Sequence, residues 1–535
     1  MDLSLYLLRR DLDPDSWGLK SNRDVRGLHR EYKEIQVKEI PGIDIRLLAR
    51  PAELTPPRWR VDLLTLVPGE VLDAGDGDPL VGLQNQSAGA VLLIRRRDWK
   101  FLIVFGSGRF SVDQNAIEIG FGLKVVANKL DSGALLGADT RRMVGMGRSH
   151  RVSIPSSGSL DRLGVEPTLD LVRYLEGKPS GEFARGIAGG DVLRLSLSRF
   201  SFRQLPEKLD EIIEAYSSEG YKEAFPFLDY FVRVPASNEN LYSKLRLEAE
   251  RRILAGGRDV DFMIPDVDRN GVPEKFVLRS GRRKVTVGAL SRDVVLSAVS
   301  EWGVVDPLVA IRVEAFYQGE PRSEKSSLLS YLVGDFEFEG RNFSPCAGAW
   351  YEVDADHLSN LNARIAQIPD LTNDLGLRPW RQNDEDEEAY NLSVLPRGET
   401  SVVLDKRLFY SKGGSNLKVE VCDLLTRQKE LICIKKATDS ATLSHLFAQG
   451  SVSARLFGGR PDYRRTVLDH LGGLGSSVSL GAYSDWTIVF AIASDRPGRL
   501  ADSLYFFSKI NLEAAVSAIR GGVGMRVALA KIDLV

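Results

Sequence analysis

The chain has 535 residues, 71 Lys+Arg against 73 Asp+Glu, and a formal net charge of -2. That balance excludes a uniformly cationic nucleic-acid coat, although a local basic groove stays open. Hydrophobic residues at 43 % and charged residues at 27 % exclude wholesale disorder and suit a globular protein of several domains.

The predicted class is α/β (α+β), multi-domain. Residues 3–8 (LSLYLL) read as an opening strand, and 90–96 with 101–105 as a hairpin around RDWK. FGSGRF at 105–110 follows, a short glycine pattern that suits a tight turn or a phosphate contact. IEIGFGLKVVANKLD at 117–131 reads as a further strand-like run. These elements form an N-terminal mixed domain, 1–150.

Residues 151–257 read as mainly helical, through 166–178, 205–233 and 241–256. The spacing of Leu209, Ile212, Ile213 and Tyr216 gives one apolar helix face. Residues 258–374 return to β-branched and aromatic runs and form a β-rich middle domain, closed by a helix at 357–368. DVDRNG at 266–271 begins like a calcium loop, but Val277 stands where the loop needs Glu. Basic clusters occur at 95–97, at Arg141 and Arg142, and at 279–284, and could track a phosphate backbone.

The clearest composition break is the acidic run NDEDEE at 383–388. Beyond it a C-terminal α/β domain is expected over 375–535. DEDEEAYNLSVL reads as a helix bearing Glu387 and Glu388. SVVLDKRLFY at 401–410, LKVEVCDLL at 417–425 and ELICIKKA at 430–437 read as three strands bearing Asp405, Asp423, and Lys435 with Lys436. SATLSHLFAQGSVSARLF at 440–457 closes the unit as a helix, with His445 and Gln449 one turn apart on one face. Strand alternation predicts that Glu420 and Asp423 face opposite ways. The last segment reads strand–helix–strand.

This α-β-β-β-α order, on a mixed sheet, resembles the core of the PD-(D/E)xK nuclease superfamily. The resemblance implies a Mg²⁺ site, because carboxylate oxygens suit a hard cation. It implies catalytic roles for Glu388, Asp423 and Lys435, with Glu388, Asp423 and Asp405 as metal ligands. Lys436, His445, Gln449, Arg141 and Arg142 would contact nucleic acid. The pattern places an acid two residues before the lysine, where this chain has Cys433. Cysteine is a poor Mg²⁺ ligand, so either another carboxylate, such as Glu430 or Asp405, supplies that position or the domain binds without cutting.

ICIKK is also similar to the lysine strand of protein kinases, but the following helix carries no glutamate. No P-loop and no G-x-S-x-G elbow occurs, and the five histidines form no H-x-x-x-H pair. The three cysteines, Cys346, Cys422 and Cys433, are too scattered for a disulfide scaffold. No secretory leader and no bilayer-length apolar run is read, so a cytoplasmic protein without membrane contact is expected.

Taken in order, LSLYLLRR, FGSGRF, EEAYN, VEVCDLL, ICIKK, SHLFAQGSVSA and YFFSKINL resemble a sporadically distributed bacterial family of unknown function. That resemblance implies mobile genetic islands and antiviral defence, with neighbouring defence-system proteins as partners. The functional expectation is a defence-associated, nucleic-acid-acting protein, either a metal-dependent nuclease or a non-catalytic binding component.

Overall fold

The computed structural model describes the chain except residues 21–31, 56–84, 132, 143–147, 160, 166–169, 236, 257–259, 263–272, 318–319, 322–325, 382–384, 400, 406–407, 411–417, 438–439 and 474–479. DVDRNG, the turn expected at 411–414 and the Arg142 side chain lie outside the described residues. The protein is a multi-domain α/β chain that gathers into two compact units, one mostly before residue 228 and one mostly after it.

The first unit is organised by a ten-stranded sheet. Its strands in chain order are β1 (Asp2–Leu7), β2 (Lys33–Ile35), β3 (Asp44–Thr55), β4 (Asn85–Arg96), β5 (Trp99–Gly106), β6 (Leu135–Arg142), β7 (Arg148–Gly158), β8 (Asp170–Gly177), β9 (Gly186–Gly189) and β10 (Leu193–Ser196). In space they run 2-3-4-5-1-10-9-8-6-7. The expected hairpin is present, with Arg96 opposite Trp99. Two expectations are corrected. Residues 170–177 are strand β8 where a helix was read, because the sheet supplies β9 as a partner: Leu175 stands opposite Gly189. The strand-like run at 117–131 contains helix α1 (Phe121–Lys129). Here packing overrides the β-branched Val125 and Val126, both fully buried. Gly122 permits the approach, since a Cβ there would lie 2.4 Å from the Val192 carbonyl oxygen. Helix α2 (Leu205–Ser217) follows the sheet.

The second unit opens with the four-stranded antiparallel sheet of β11 (Phe231–Arg233), β19 (Phe336–Phe338), β20 (Arg341–Cys346) and β21 (Ala349–Val353). Helices α3 (Glu239–Leu254) and α4 (Arg292–Trp302) share a core with the short sheets of β12 (Val260–Phe262), β13 (Lys275–Ser280), β14 (Arg283–Val287), β15 (Arg312–Tyr317), β16 (Glu320–Pro321), β17 (Ser326–Ser327) and β18 (Leu332–Gly334). Helix α5 (Ala355–Ala366) leads into the C-terminal part.

That part contains α6 (Glu387–Ser393), β22 (Val402–Val403), β23 (Leu408–Tyr410), β24 (Lys418–Glu420), β25 (Leu424–Leu425), β26 (Glu430–Lys436), α7 (Ser440–Gly459), α8 (Pro461–Gly472), β27 (Thr487–Ser494), α9 (Phe506–Val523) and β28 (Arg526–Asp533). The sheet order is β22-β25-β26-β27-β28. The first three strands form an antiparallel meander, and β27 and β28 join parallel. Alternation divides the buried strands between two cores. Leu431, Cys433, Ile488, Phe490 and Ile492 share one core with α7 and α9. Ile432, Ile434, Val489 and Ala491 share the other with Tyr390 of α6. Helix α7 closes onto β27 through Phe447, whose ring meets Phe490 edge-on at 5.1 Å.

Candidate active site

Two of the three expected strands are broken at the same level. The expected strand 401–410 is β22 and β23, and the expected strand 417–425 is β24 and β25. Val402 stands opposite Leu425 and Leu408 opposite Glu420, so six residue steps on one strand face five on the other. One extra residue in a ladder bends the strand and re-aims side chains. Asp405 lies within this irregularity and Asp423 at its far edge.

The break overturns the alternation argument for Glu420 and Asp423. Regular pleating ends at Glu420, and Asp423 is placed by the resumed ladder, its N–H donating to Ile432 O at 3.0 Å. Asp405, Glu420 and Asp423 each present a carboxylate oxygen, and these oxygens lie within 4.8 Å of one another. Asp423 Oδ2 accepts from Ile434 N at 2.6 Å, taking up a β26 donor where the neighbouring strand departs. From α7, Gln449 Nε2 donates to Glu420 Oε2 at 3.1 Å.

The electrostatics fit a site that gathers negative charge. Asp423 is 3 % exposed. Burial pushes its carboxyl up to about 8, against the Ile434 hydrogen bond, and Glu420, Glu387 and Asp405 raise it further. An all-oxygen set of three carboxylates suits a hard divalent cation such as Mg²⁺ or Mn²⁺.

Lys435 is the penultimate residue of β26, and its Nζ donates to Glu387 Oε1 at 2.8 Å. The acid that α6 brings to the lysine is therefore Glu387, the neighbour of the expected ligand Glu388. Tyr390 and Asn391 are fully buried, and Glu387 lies one turn before them on the same side. Glu388 is turned roughly 100° further round and is exposed. Asp386 starts the helix, its side chain accepting from Ala389 N at 2.9 Å.

Glu430 is not part of the cluster. At the other end of β26 it takes a bidentate pair from Arg397 at 2.8 and 2.9 Å and a hydroxyl bond from Thr426. Cys433 points into the apolar core under α7, where burial raises its thiol well above the usual range. Lys436 lies over the Trp380 ring, 4.5 Å from its centroid. His445 is exposed on α7 one turn before Gln449. Arg141 is buried at the end of β6, 1 % exposed, which removes it from the solvated groove expected of it.

Of the three carboxylates brought together, sequence reasoning named Asp405 and Asp423 as metal ligands and missed Glu420. The available signal was the V-C-D step after Glu420, three residues that lead out of one ladder and into another.

A family model, described as a family of unknown function (DUF6119), matches residues 3–533, and the chain belongs to that family. No curated protein and no solved structure matches the chain.

Proposed function

We propose that this DUF6119 protein is a divalent-cation-dependent nuclease that cleaves phosphodiester bonds of nucleic acid. The observation that carries the reading is the convergence of Asp405, Glu420 and Asp423 at the break in the meander, beside the strand that bears Lys435. The element order supports it. A helix, an antiparallel meander and a helix follow one another in the α-β-β-β-α order of the nuclease resemblance.

Asp405, Glu420 and Asp423 would hold the cation. A bound Mg²⁺ would supply charge stabilisation for phosphoryl oxygens and a water of lowered pKa. The chain supplies positioning. Ile434 N fixes Asp423, and Gln449 fixes Glu420. Lysine carries three N–H donors, of which Glu387 takes one. The others are available to a phosphate oxygen, where a fixed cation offsets developing charge. Glu420 and Asp405 stand in for the acid that the resemblance places at Cys433. The bacterial defence setting, a cytoplasmic location and neighbouring defence-system partners belong to the same proposal. Among the described residues, no helix is long and apolar enough to cross a membrane.

The test is cleavage of plasmid, single-stranded DNA and RNA with Mg²⁺ or Mn²⁺ against EDTA. Wild type is compared with Asp423→Ala, Glu420→Gln and Lys435→Ala. The proposal expects metal-dependent cutting that all three variants lose. Equal cutting by wild type and variants, or no cutting with nucleic-acid binding retained, overturns it; the latter result identifies a non-catalytic binding component.

A further inference from the structure

One face of the first unit's sheet is built for a solvated partner. Along β1, β10, β9 and β8 the side chains alternate. Leu3, Leu5, Leu193, Leu195, Ile187 and Leu175 are at most 2 % exposed and make the inner face. The register fixes what lies on the other face. Ser4 stands opposite Arg194, Arg194 opposite Ala188, and Ala188 opposite Glu176. Tyr174, two residues before Glu176, shares that face. Arg194 is exposed and Tyr174 is half-buried.

Two more guanidinium groups complete a row. Arg151 of β7 reaches over β6 to set its guanidinium over the Tyr174 ring, 5.3 Å from the ring centroid. Gly137 of β6 leaves the way clear, since a Cβ there would lie 2.5 Å from Glu176 Oε1. Arg109, just beyond β5, is exposed on the other side. Burial raises the Tyr6 phenol, and Arg194 and Arg109 oppose the rise. The Tyr174 phenol is raised chiefly by burial, and Arg194 and Arg151 again oppose it. The order across the sheet is thus Arg109, Tyr6, Arg194, Tyr174, Arg151; Tyr6 is itself buried with Leu102 and Val104, so the face is open from β10 to β7. Two acids of this face are already engaged. Glu176 accepts from Ser153 at 3.3 Å and from Tyr174 at 3.4 Å, and Asp2 from Ser196 at 2.7 Å.

We propose that this open sheet face binds single-stranded nucleic acid, with Arg109, Arg194 and Arg151 on its phosphates and the Arg151–Tyr174 pair beneath a base. Charge complementarity selects a polyanion. The shape selects a single strand, because duplex grooves admit a helix or a two-stranded ribbon, whereas an open sheet meets unstacked bases. Because Arg151 leans back onto Tyr174, the Arg194 and Arg151 charges lie about two strands apart, roughly 10 Å at about 4.8 Å per strand, and Arg109 extends the row on the β5 side. A guanidinium set over one ring offers its outer plane to another. The assignment goes beyond the nuclease reading and does not depend on cleavage.

The test is fluorescence anisotropy of the full chain with a labelled oligothymidylate, an RNA of equal length and a duplex, all in EDTA so that cutting plays no part. Wild type should prefer the single strands. The triple variant R109A/R151A/R194A should weaken binding by about tenfold or more and flatten the salt dependence by about two in log–log slope. Glu176→Gln should tighten it. All substituted side chains are exposed or half-buried, and unchanged melting curves establish folding. Wild-type affinity and salt slope in the folded triple variant, or equal affinity for duplex and single strands, would overturn the assignment.

Discussion

Removing one charge from the carboxylate cluster should stabilise the metal-free protein at alkaline pH. The perturbation is Asp423→Asn. Its carboxyl stands at about 8 in the fold, chiefly through burial and then through Glu420, Glu387 and Asp405. In the unfolded chain it returns to the ordinary 3.8. Below the lower value both states hold the proton and nothing is lost. Between the two the folded state holds a proton that the unfolded state has released. Stability therefore falls as pH rises through this window, and the loss is complete above about 8. At about 1.4 kcal/mol per unit, the loss reaches about 4 kcal/mol at neutrality and about 6 kcal/mol above the window, both as ceilings. Asparagine keeps an acceptor for Ile434 N and turns an amide donor toward Glu420 and Asp405. Urea denaturation in EDTA at pH 5, 7 and 9 reads the effect. The wild type should lose stability across the series, and Asp423→Asn should lose several kcal/mol less. Parallel pH slopes, or a variant less stable than wild type at pH 9, would refute the reasoning. Added Mn²⁺ should recover the wild type and leave the variant unmoved, because a ligand stabilises only the state that binds it.

Other elements make separate predictions. His357 is buried, its Nε2 has no hydrogen-bond partner among the described residues, and its ring stacks on Tyr230 at 3.8 Å. Burial, and then Arg364, lowers its pKa, so stability should drop as pH falls below 6.5; His357→Phe should remove that step in a pH series of melting curves. Arg397→Ala leaves Glu430 buried without its bidentate partner and should cost about 3 kcal/mol by urea denaturation, with Mn²⁺ stoichiometry unchanged. Gly450→Ala sets a Cβ 2.5 Å from the Phe490 ring, and overpacking of about 1–3 kcal/mol should appear as a lower melting temperature.

The C-terminal elements were legible because their signals are local. Apolar periodicity located α7, β26, β27 and α9, and the polar turn between β25 and β26 located the returning strand. The break in the meander was not legible. Alternation assumes an unbroken strand, and the one-residue excess opposite Val421 and Cys422 arises from pairing between segments far apart in sequence. Glu387 was exchanged for its neighbour because helix phase turns on one residue, and the inward position is settled by Tyr390 packing against β26. In the first unit the spatial order 2-3-4-5-1-10-9-8-6-7 is a long-range property that no window of sequence carries. Strand β8 shows the same limit. Its residues tolerate a helix, and its sheet partners decide otherwise.

The proposed nuclease requires Asp405, Glu420 and Asp423 to hold one divalent cation. Mn²⁺ titration followed by electron paramagnetic resonance tests it most directly, because the free-ion signal reports binding without reference to activity. The wild type should bind saturably, Mg²⁺ should compete that binding away, Asp405→Asn, Glu420→Gln and Asp423→Asn should abolish it, and Glu388→Gln, at an exposed position, should retain it. Undiminished binding in the three cluster variants, or loss in Glu388→Gln with the cluster variants intact, would contradict it.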